Sequence, residues 1–300
     1  MSALSLGSWR TFERIPREAG VAVMTAAREH GIDFLDDARY DDETGGAPLP
    51  TGYSEVVFGE VFRAVGWKRD DVVVANKLWW EFWPEQSAAE ELDGSLARMG
   101  FDYVDLSYSE QPPVGLAVPD VVAAVSELVA SGKARAWGVL NWQPELIVEA
   151  AGFAASEVLP APSAAQLPYN LVYREFVEDD LMADALDAAG ANVVASTVLA
   201  GGALTGKYAS SGADGRLAGE LADPRRERAL QIGERLRDVA DDLDTTPSRL
   251  AIAFALSNPR VASVLFGATS PEQVAENVGA LELLGSMSDA EVAELCNLGQ

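Results

Sequence analysis

Short apolar runs and longer amphipathic segments alternate along the whole chain. β-Branched and other apolar residues dominate the short runs, whereas in the longer segments apolar residues recur every three or four positions, as on one face of a helix. This alternation is typical of parallel β/α units. The strand-like runs are, in chain order, LSLGSW, DFLDDA, DVVVANK, YVDLSYS, ARAWGVLN, SAAQLPY, NVVAST and ASVLFGA.

Eight such units in 300 residues predict an α/β fold, a closed eight-stranded parallel (β/α) barrel of the TIM type. Pro119 and Asp120 begin one helical segment and Gly132 follows its last turn, as helix start and stop signals do. No linker rich in Pro, Gly or Ser divides the chain, so we expect residues 1–300 to form a single domain. In such a barrel the active site lies at the C-terminal ends of the strands.

Ionisable residues follow three of the predicted strands. Asp36, Asp37 and Tyr40 follow one strand, Lys77 ends the next, and Glu110 follows a third. A single lysine just past a strand is usually a surface residue, because strand ends commonly meet solvent. Several ionisable groups at the same class of position instead predict a reaction centre at the C-terminal rim of the barrel.

Period-two alternation predicts what lies beneath these groups. If Lys77 faces into the barrel, then Ala75 does too, and if Glu110 faces inward, then Tyr108 does too. The interior below the charges would be mainly apolar. Such a floor excludes water and strengthens the charge interactions above it.

Composition excludes several classes of function. The chain has 47 acidic and 22 basic residues, a net charge of −25, which argues against a nucleic-acid partner. It contains no apolar stretch of about 18 residues and no leader-like start, so we expect a cytoplasmic protein with no membrane partner. Cys296 is the single cysteine, so neither an internal disulfide nor a cysteine metal cluster can form, and we expect no metal. Oligomeric state is not predicted.

Seven segments occur in the order found in a known protein family. GIDFLDDARYD resembles G-x-N-F-x-D-T-A-x-x-Y, VVVANK resembles a strand ending in the catalytic lysine, and DYVDLSYSEQPP resembles D-x-x-D-x-x-x-x-H-x-P. SGKARAWGVLNW and QLPYNLVYRE are similar to G-K-x-R-x-x-G-x-S-N-W and Q-x-x-Y-N-x-x-x-R-E, and LAGGALTGKY and FGATSPEQVAENVGAL to two cofactor segments. From Leu6 to about Ala280 the chain therefore resembles the aldo-keto reductases, especially the subgroup containing the potassium-channel β subunits.

The resemblance implies that hydride passes from a nicotinamide cofactor to a carbonyl carbon while a tyrosine supplies the proton. A lysine paired with an aspartate makes that phenol more acidic. By position, Asp36 is the aspartate that orients the lysine, and Lys77 is the lysine that activates the tyrosine. The family places the tyrosine five residues after the aspartate, whereas Tyr40 is four residues on and Asp41 holds the fifth place. Either one residue is deleted, which the following loop can absorb, or Asp41 occupies the position and the donor is lost. Tyr40 is our preferred donor, and Tyr53 is a third candidate for the position.

Glu110 stands where carbonyl-reducing members of the family carry histidine. His30, the single histidine, ends a helical segment and does not supply that role. In the family, glutamate at this position is associated with steroid double-bond reduction. A protonated carboxylic acid donates a strong hydrogen bond to a carbonyl oxygen, so that hydride adds at the β carbon. An ionised Glu110 would instead pair with Lys77 and suppress activity, and a surface glutamate is a third interpretation.

The resemblance also implies NADP(H) as the cofactor. The loop before Pro271 opens a helix whose free amides and dipole suit a phosphate. Leu140 replaces the usual serine beside the nicotinamide, and Ser196 replaces the aromatic ring that stacks on it. The implied cofactor-binding residues are Ser8, Trp9, Arg10, Asn141, Gln166, Ser196, Leu199, Gly201, Lys207, Gly267, Thr269, Gln273, Glu276 and Asn277.

Trp79, Trp80 and Trp83 follow the predicted lysine on a single loop. They can form the wall of a pocket for a bulky, mainly apolar substrate, or they can pack the loop against helices. The resemblance therefore implies an NADP-dependent oxidoreductase that reduces a carbonyl or an activated C=C bond of a small molecule. The alternative is an NADP-binding regulatory barrel with little or no turnover.

Overall fold

The computed structural model describes residues 1–206 and 224–299. Within these residues eight strands, all parallel, pair in chain order and close into a barrel, with β8 paired to β1. The predicted TIM-type barrel is confirmed, and each strand lies within or overlaps its predicted run. The strands are β1 Leu4–Gly7, β2 Phe34–Asp36, β3 Val73–Leu78, β4 Val104–Ser109, β5 Ala134–Leu140, β6 Ala164–Pro168, β7 Asn192–Ser196 and β8 Val261–Phe266.

Helices connect the strands along the outside of the barrel. Pro119 lies in the first turn of its helix and Gly132 follows the end of that helix, as predicted. None of the described helices is both long and apolar enough to cross a membrane. The α-helices are α1 Arg17–Glu29, α2 Tyr53–Val65, α3 Ala88–Met99, α4 Val118–Ala130, α5 Pro144–Glu157, α6 Glu175–Glu178, α7 Asp180–Ala189, α8 Pro224–Asp242, α9 Pro247–Ser257, α10 Pro271–Ser286 and α11 Asp289–Asn297. Shorter 3₁₀ segments are Phe12–Arg14, Arg69–Asp71 and Ala200–Thr205.

Two apolar layers hold the fold together. The larger layer lies between the barrel and the helices, and a smaller cluster fills the barrel interior. Ala75 and Tyr108 belong to the interior cluster, which confirms the predicted alternation on β3 and β4. The buried members of this cluster are Phe34, Ala75, Leu106, Tyr108, Leu140, Ala164 and Val194.

Asp105, near the start of β4, ties strands together at the opposite end of the barrel. Its carboxylate accepts the backbone amide of Val74 at 2.9 Å and pairs with Arg69 at 2.7 Å and Arg135 at 2.9 Å. The carboxylate is buried, and two cations and an amide compensate its negative charge. The second aspartate of the D-x-x-D segment therefore has a structural role, remote from the C-terminal rim.

Candidate active site

Asp36, Lys77 and Tyr40 meet at the C-terminal rim. Lys77 Nζ forms an ion pair with Asp36 Oδ1 and donates a hydrogen bond to the Tyr40 hydroxyl oxygen at 3.1 Å. Lys77 and Asp36 are buried, with 4% and 1% of their surface exposed. The structure therefore brings together three residues that the sequence placed at the ends of two successive strands.

The three candidate proton donors have different surroundings. Tyr40 reaches Lys77, whereas Tyr53 begins α2 and its hydroxyl accepts a hydrogen bond from Arg17 at 3.1 Å. Asp41 is exposed and pairs through its backbone with Thr51, which closes the base of the loop. Because the loop turns back at Asp41, it is the preceding residue, Tyr40, that lies against the lysine.

Gln166 on β6 completes the setting of Asp36. Its side-chain amide donates to Asp36 Oδ2 at 2.8 Å, so the two carboxylate oxygens have different partners. Tyr108 lies below, fully buried, and burial followed by the charge of Asp36 raises the pKa of its phenol well above the usual value. The sequence predicted Tyr108 inside the barrel but not its proximity to Asp36. The signal was a polar residue in an otherwise apolar interior.

Glu110 follows β4 at the same rim, and its backbone amide donates to the Leu78 carbonyl at 2.9 Å. Its side chain is half-buried; burial raises the pKa of the carboxyl above the usual glutamate value, and the nearby charge of Glu91 raises it further. The contacts of Lys77 go to Asp36 and Tyr40 rather than to Glu110. This arrangement is compatible with a protonated Glu110 at the rim.

The three tryptophans of the loop after β3 have separate environments. Trp79 packs on the interior cluster, and its ring centroid lies 6.1 Å from that of Tyr40. Trp80 is buried in the layer between barrel and helices, where its indole N–H donates to Ser109 Oγ at 2.9 Å. Trp83 packs, half-buried, on the same outer layer. Trp79 can therefore form a pocket wall, whereas Trp80 and Trp83 pack the loop.

The implied cofactor residues that the structure describes lie around the same rim or at the start of α10. Ser8, Trp9 and Arg10 follow β1, Asn141 follows β5, Gln166 is in β6, Ser196 ends β7, Leu199 and Gly201 come next, Gly267 and Thr269 follow β8, and Gln273, Glu276 and Asn277 are in α10. Lys207 lies outside the described residues. Two carboxamide side chains, Asn141 and Gln166, are the donor and acceptor type that a nicotinamide carboxamide needs. These residues thus fit a nicotinamide dinucleotide.

The start of α10 is the implied phosphate site. Ser270 caps the helix through a hydrogen bond from the Gln273 amide at 3.4 Å. The side-chain oxygen of Gln273 accepts the Thr269 amide at 2.8 Å, so that amide is already engaged. Pro271 has no amide hydrogen, and the Gln273 and Val274 amides both donate to Ser270, so a phosphate there would have to displace these contacts or the Gln273 side chain.

Backbone strain marks the same rim. Arg10, Trp80, Asn141 and Thr197 have positive φ angles of 53°, 59°, 56° and 53°. They lie one to three residues after the ends of β1, β3, β5 and β7, so a left-handed residue other than glycine follows each odd-numbered strand. Such conformations are disfavoured for L-residues and concentrate at functional sites, which supports the assignment of this rim.

Comparison with known proteins agrees with this geometry. Residues 3–299 match the model of the Aldo/keto reductase family. The chain belongs to the aldo/keto reductase family. It is similar to a "Probable voltage-gated potassium channel subunit beta" of Oryza sativa subsp. japonica, with 34% identity across 95% of this chain and 88% of the rice protein. A protein of the same description from Arabidopsis thaliana is 31% identical, with the same coverage of both chains. The resemblance to this family is confirmed, and the protein is an oxidoreductase of a family that binds NAD(P)H.

Electrostatics in this aldo/keto reductase keep the lysine charged and the phenol protonated. Burial disfavours the Lys77 ammonium, but the charge of Asp36 and the contact with Tyr40 outweigh it, so its pKa rises above the usual lysine value. Burial raises the pKa of Tyr40, and the Lys77 charge offsets only part of that rise. The net rise in the Tyr40 pKa is opposite to the acidification that the resemblance implies, because burial destabilises the phenolate by more than the Lys77 ammonium stabilises it.

An unpredicted charge pair anchors the tryptophan loop of this reductase. Glu91 on α3 accepts the backbone amides of Trp79 at 2.9 Å and Trp80 at 3.2 Å, and Arg39 pairs with Glu91 and with Glu81. Arg39 and Glu91 are both buried. The sequence carried one signal for this contact, a glutamate on the apolar face of α3, but not its partner. The pair holds Trp79 beside Tyr40.

Proposed function

We propose that this protein uses NADP(H) to reduce a carbonyl or an activated C=C bond in a bulky, mainly apolar small molecule. The observation that carries the proposal is the contact of 3.1 Å between the Tyr40 hydroxyl and Lys77 Nζ, next to the Lys77–Asp36 ion pair. A phenol, an ammonium and a carboxylate in this order form a proton donor with a fixed charge behind it. When bound, NADPH supplies the hydride.

Tyr40 delivers the proton in this proposal. Its raised pKa keeps the hydroxyl protonated through neutral pH, so the donor is ready before the reaction begins. As the proton leaves, the Lys77 ammonium stabilises the developing phenolate, and Asp36 keeps that ammonium in place. The apolar interior below excludes water, which strengthens the attraction between the phenolate and the ammonium.

Glu110 directs the reaction towards a conjugated double bond. As a neutral acid it donates a hydrogen bond to the carbonyl oxygen of an enone and withdraws electrons from the β carbon. Hydride adds to that carbon and the proton of Tyr40 completes the saturated product at the α carbon. The half-buried position of Glu110 and its raised pKa support this role. Trp79 supplies an apolar wall for the substrate.

A regulatory protein that binds NADP(H) with little turnover is the second candidate function. The names of the plant relatives favour it, since both are described as potassium channel subunits. Ser196 at the end of β7 also favours it, because serine provides no ring to hold the nicotinamide by stacking. In that function the cofactor state would be the signal.

Titration with NADPH separates these functions. We expect NADPH to quench tryptophan fluorescence saturably and to bind more tightly than NADH. We also expect NADPH to be oxidised in the presence of a panel of enones and quinones. Absorbance of the reduced nicotinamide reports turnover. Saturable binding with no turnover across the panel would overturn the enzyme and leave the regulatory function. The absence of binding by either cofactor would overturn both.

Glu110→Gln tests the protonated-acid role. With the wild-type protein we expect kcat for enone reduction to fall up to about tenfold per pH unit once the pH exceeds the raised pKa of Glu110, because only the acid donates. Glutamine donates at every pH, so the variant should keep a flat profile over that range. Glu85→Gln, on an exposed loop position, is the matched control and should follow the wild-type profile. A flat wild-type profile, or a variant inactive at every pH, would contradict this role.

A further inference from the structure

Ser8, Asp37 and Asn76 are neighbours across three strands, directly behind the reaction centre. Gly7 pairs with Asp36, and Asp36 pairs with Ala75, so the next residue of each strand lies in one row. The ladder continues through this row, because the Ser8 amide donates to the Asp36 carbonyl at 3.0 Å and the Asp37 amide to the Ala75 carbonyl at 3.1 Å. By alternation the three side chains point away from the interior that Asp36 and Lys77 face. All three are fully buried.

Two hydrogen bonds show which atoms of this row donate and which accept. Ser8 Oγ donates to Asp37 Oδ1. On the other side, Asn76 Nδ2 donates to Glu55 Oε1 at 2.9 Å, and Glu55 also pairs with Arg98 at 2.5 Å. Because a carboxylate only accepts, the contact with Glu55 fixes the orientation of the Asn76 amide. The Asn76 Oδ1 oxygen therefore lies on the other side of that amide.

Two buried acceptor oxygens remain in this row, and the Ser107 hydroxyl, opposite Asn76 on β4, is also buried without a partner among the described residues. Asp37 Oδ2 and Asn76 Oδ1 are each inaccessible to solvent and have no hydrogen-bond partner among the described residues. Both are acceptors when Asp37 is ionised, and leaving such atoms buried and unpaired is costly. One proton between them would satisfy both. Because the Ser107 hydroxyl makes no hydrogen bond to Asn76, the donor missing between Asp37 Oδ2 and Asn76 Oδ1 is one that a neutral Asp37 carboxylic acid provides.

We infer that Asp37 is a neutral acid in the folded protein and donates from Oδ2 to Asn76 Oδ1. A hydrogen-bond chain then runs without interruption from Ser8 through Asp37 and Asn76 to Glu55. Burial and the charge of Glu55 raise the pKa of the Asp37 carboxyl well above the usual aspartate value, while Ser8, the Ala38 amide and Lys77 lower it less. The net electrostatic effect of these neighbours therefore favours the neutral acid.

Asp37 stands at the position of threonine in the motif G-x-N-F-x-D-T-A-x-x-Y, and a neutral acid, like a hydroxyl, both accepts and donates. It acts as a positioning residue, since it links Ser8, an implied cofactor residue, to Asn76, which precedes Lys77. If it ionised, its charge would raise the pKa of Tyr40 further and compete with Asp36 for Lys77. The positioning role rests on the proposed function, whereas the protonation state does not.

Asp37→Asn tests the protonation state through the pH dependence of stability. A pKa raised on folding means that the stability due to the proton is complete below the unfolded pKa of about 4 and is lost as pH rises towards the folded pKa. Asparagine makes the same hydrogen bonds without a proton. From pH 6 to 9 we therefore expect the unfolding constant of the wild type, divided by that of the variant, to rise up to about tenfold per pH unit in urea titrations.

Asp71→Asn removes one exposed carboxylate at the far end of the barrel and should follow the wild type. Asp37→Thr, with a hydroxyl in place of the acid, should behave as Asp37→Asn does. An ionised Asp37 predicts a different result: the ratio of the two unfolding constants would not change with pH in this range, and the variant would be less stable than the wild type by the same factor throughout. Carbon-13 NMR of wild-type protein labelled at aspartate gives a second measurement: one carboxyl carbon should keep the shift of a neutral acid at pH 7, and its absence would overturn the inference.

Turnover measurements separate this inference from the proposed function. If the wild type oxidises NADPH with an enone, Glu110→Gln and the double variant Glu110→Gln/Asp37→Asn are compared, because neither contains the Glu110 acid. At high pH kcat of the double variant should keep its value where kcat of Glu110→Gln falls, with KM for NADPH within about twofold. Equal pH profiles would overturn the positioning role alone. If the wild type shows no turnover, the proposed function and the positioning role both fail, and the urea titrations still decide the protonation state.

Discussion

Replacing Tyr40 with phenylalanine is expected to lower kcat for NADPH-dependent reduction by about 10³-fold, within the range that general-acid catalysis supplies. The variant loses the proton donor but keeps the ring beside Trp79, so KM for the substrate should change by less than about threefold. Steady-state kinetics with the best substrate of the panel measure both quantities.

Tyr53→Phe and Asp41→Asn are the controls, because they remove the other two candidate donors. The Tyr53 hydroxyl contacts Arg17 and Asp41 is exposed, so both variants should keep kcat within about threefold of the wild-type value. A large loss in either one, with Tyr40→Phe still active, would show that the donor is not Tyr40. Such a result would also require the loop at residues 41–52 to rearrange on binding.

Replacing Lys77 with methionine is expected to abolish measurable turnover and to destabilise the fold. Methionine removes the charge that stabilises the Tyr40 phenolate, and it leaves the Asp36 carboxylate buried with Gln166 as its remaining donor. Breaking a buried ion pair in this way costs about 3–5 kcal/mol. Urea unfolding at neutral pH measures the loss.

Lys133→Met provides the matched comparison, since Lys133 pairs with Asp93 at 2.6 Å and the two side chains are 32% and 52% exposed to solvent. That variant should lose less than about 1 kcal/mol and keep full activity. Adding Asp36→Asn to Lys77→Met should restore part of the stability but none of the activity, because the uncompensated charge is removed with the lysine still missing. Equal destabilisation by Lys77→Met and Lys133→Met would rule out a dominant buried pair.

The barrel could be predicted because its signals are local and repeated. Each strand is a short apolar run and each following helix has one apolar face, and eight repeats of that pattern leave few other topologies. Alternation also placed Ala75 and Tyr108 correctly, since a period of two on a strand leaves only two sides to choose from. The positions of Asp36, Lys77 and Glu110 at the C-terminal ends of strands follow from the same strand pattern.

Contacts across the rim could not be predicted, because they depend on side-chain directions and distances between segments far apart in sequence. The spacing rule left Tyr40, Asp41 and Tyr53 as alternatives, and the fold of the loop brought Tyr40 to Lys77. The tryptophan loop was a single apolar patch in the sequence, yet Glu91 orients its backbone so that Trp79 and Trp80 point to different layers.

The sequence by itself determined the barrel, the family and the rim at which the ionisable residues gather, since these depend on the order and periodicity of residues along the chain. The tertiary structure alone decided which phenol meets the lysine, which way its pKa shifts, and which oxygens at Asp37 and Asn76 need a proton. The physical reason is that pKa values and hydrogen bonds depend on burial and on distances of a few ångströms, which separate elements set only when they pack together.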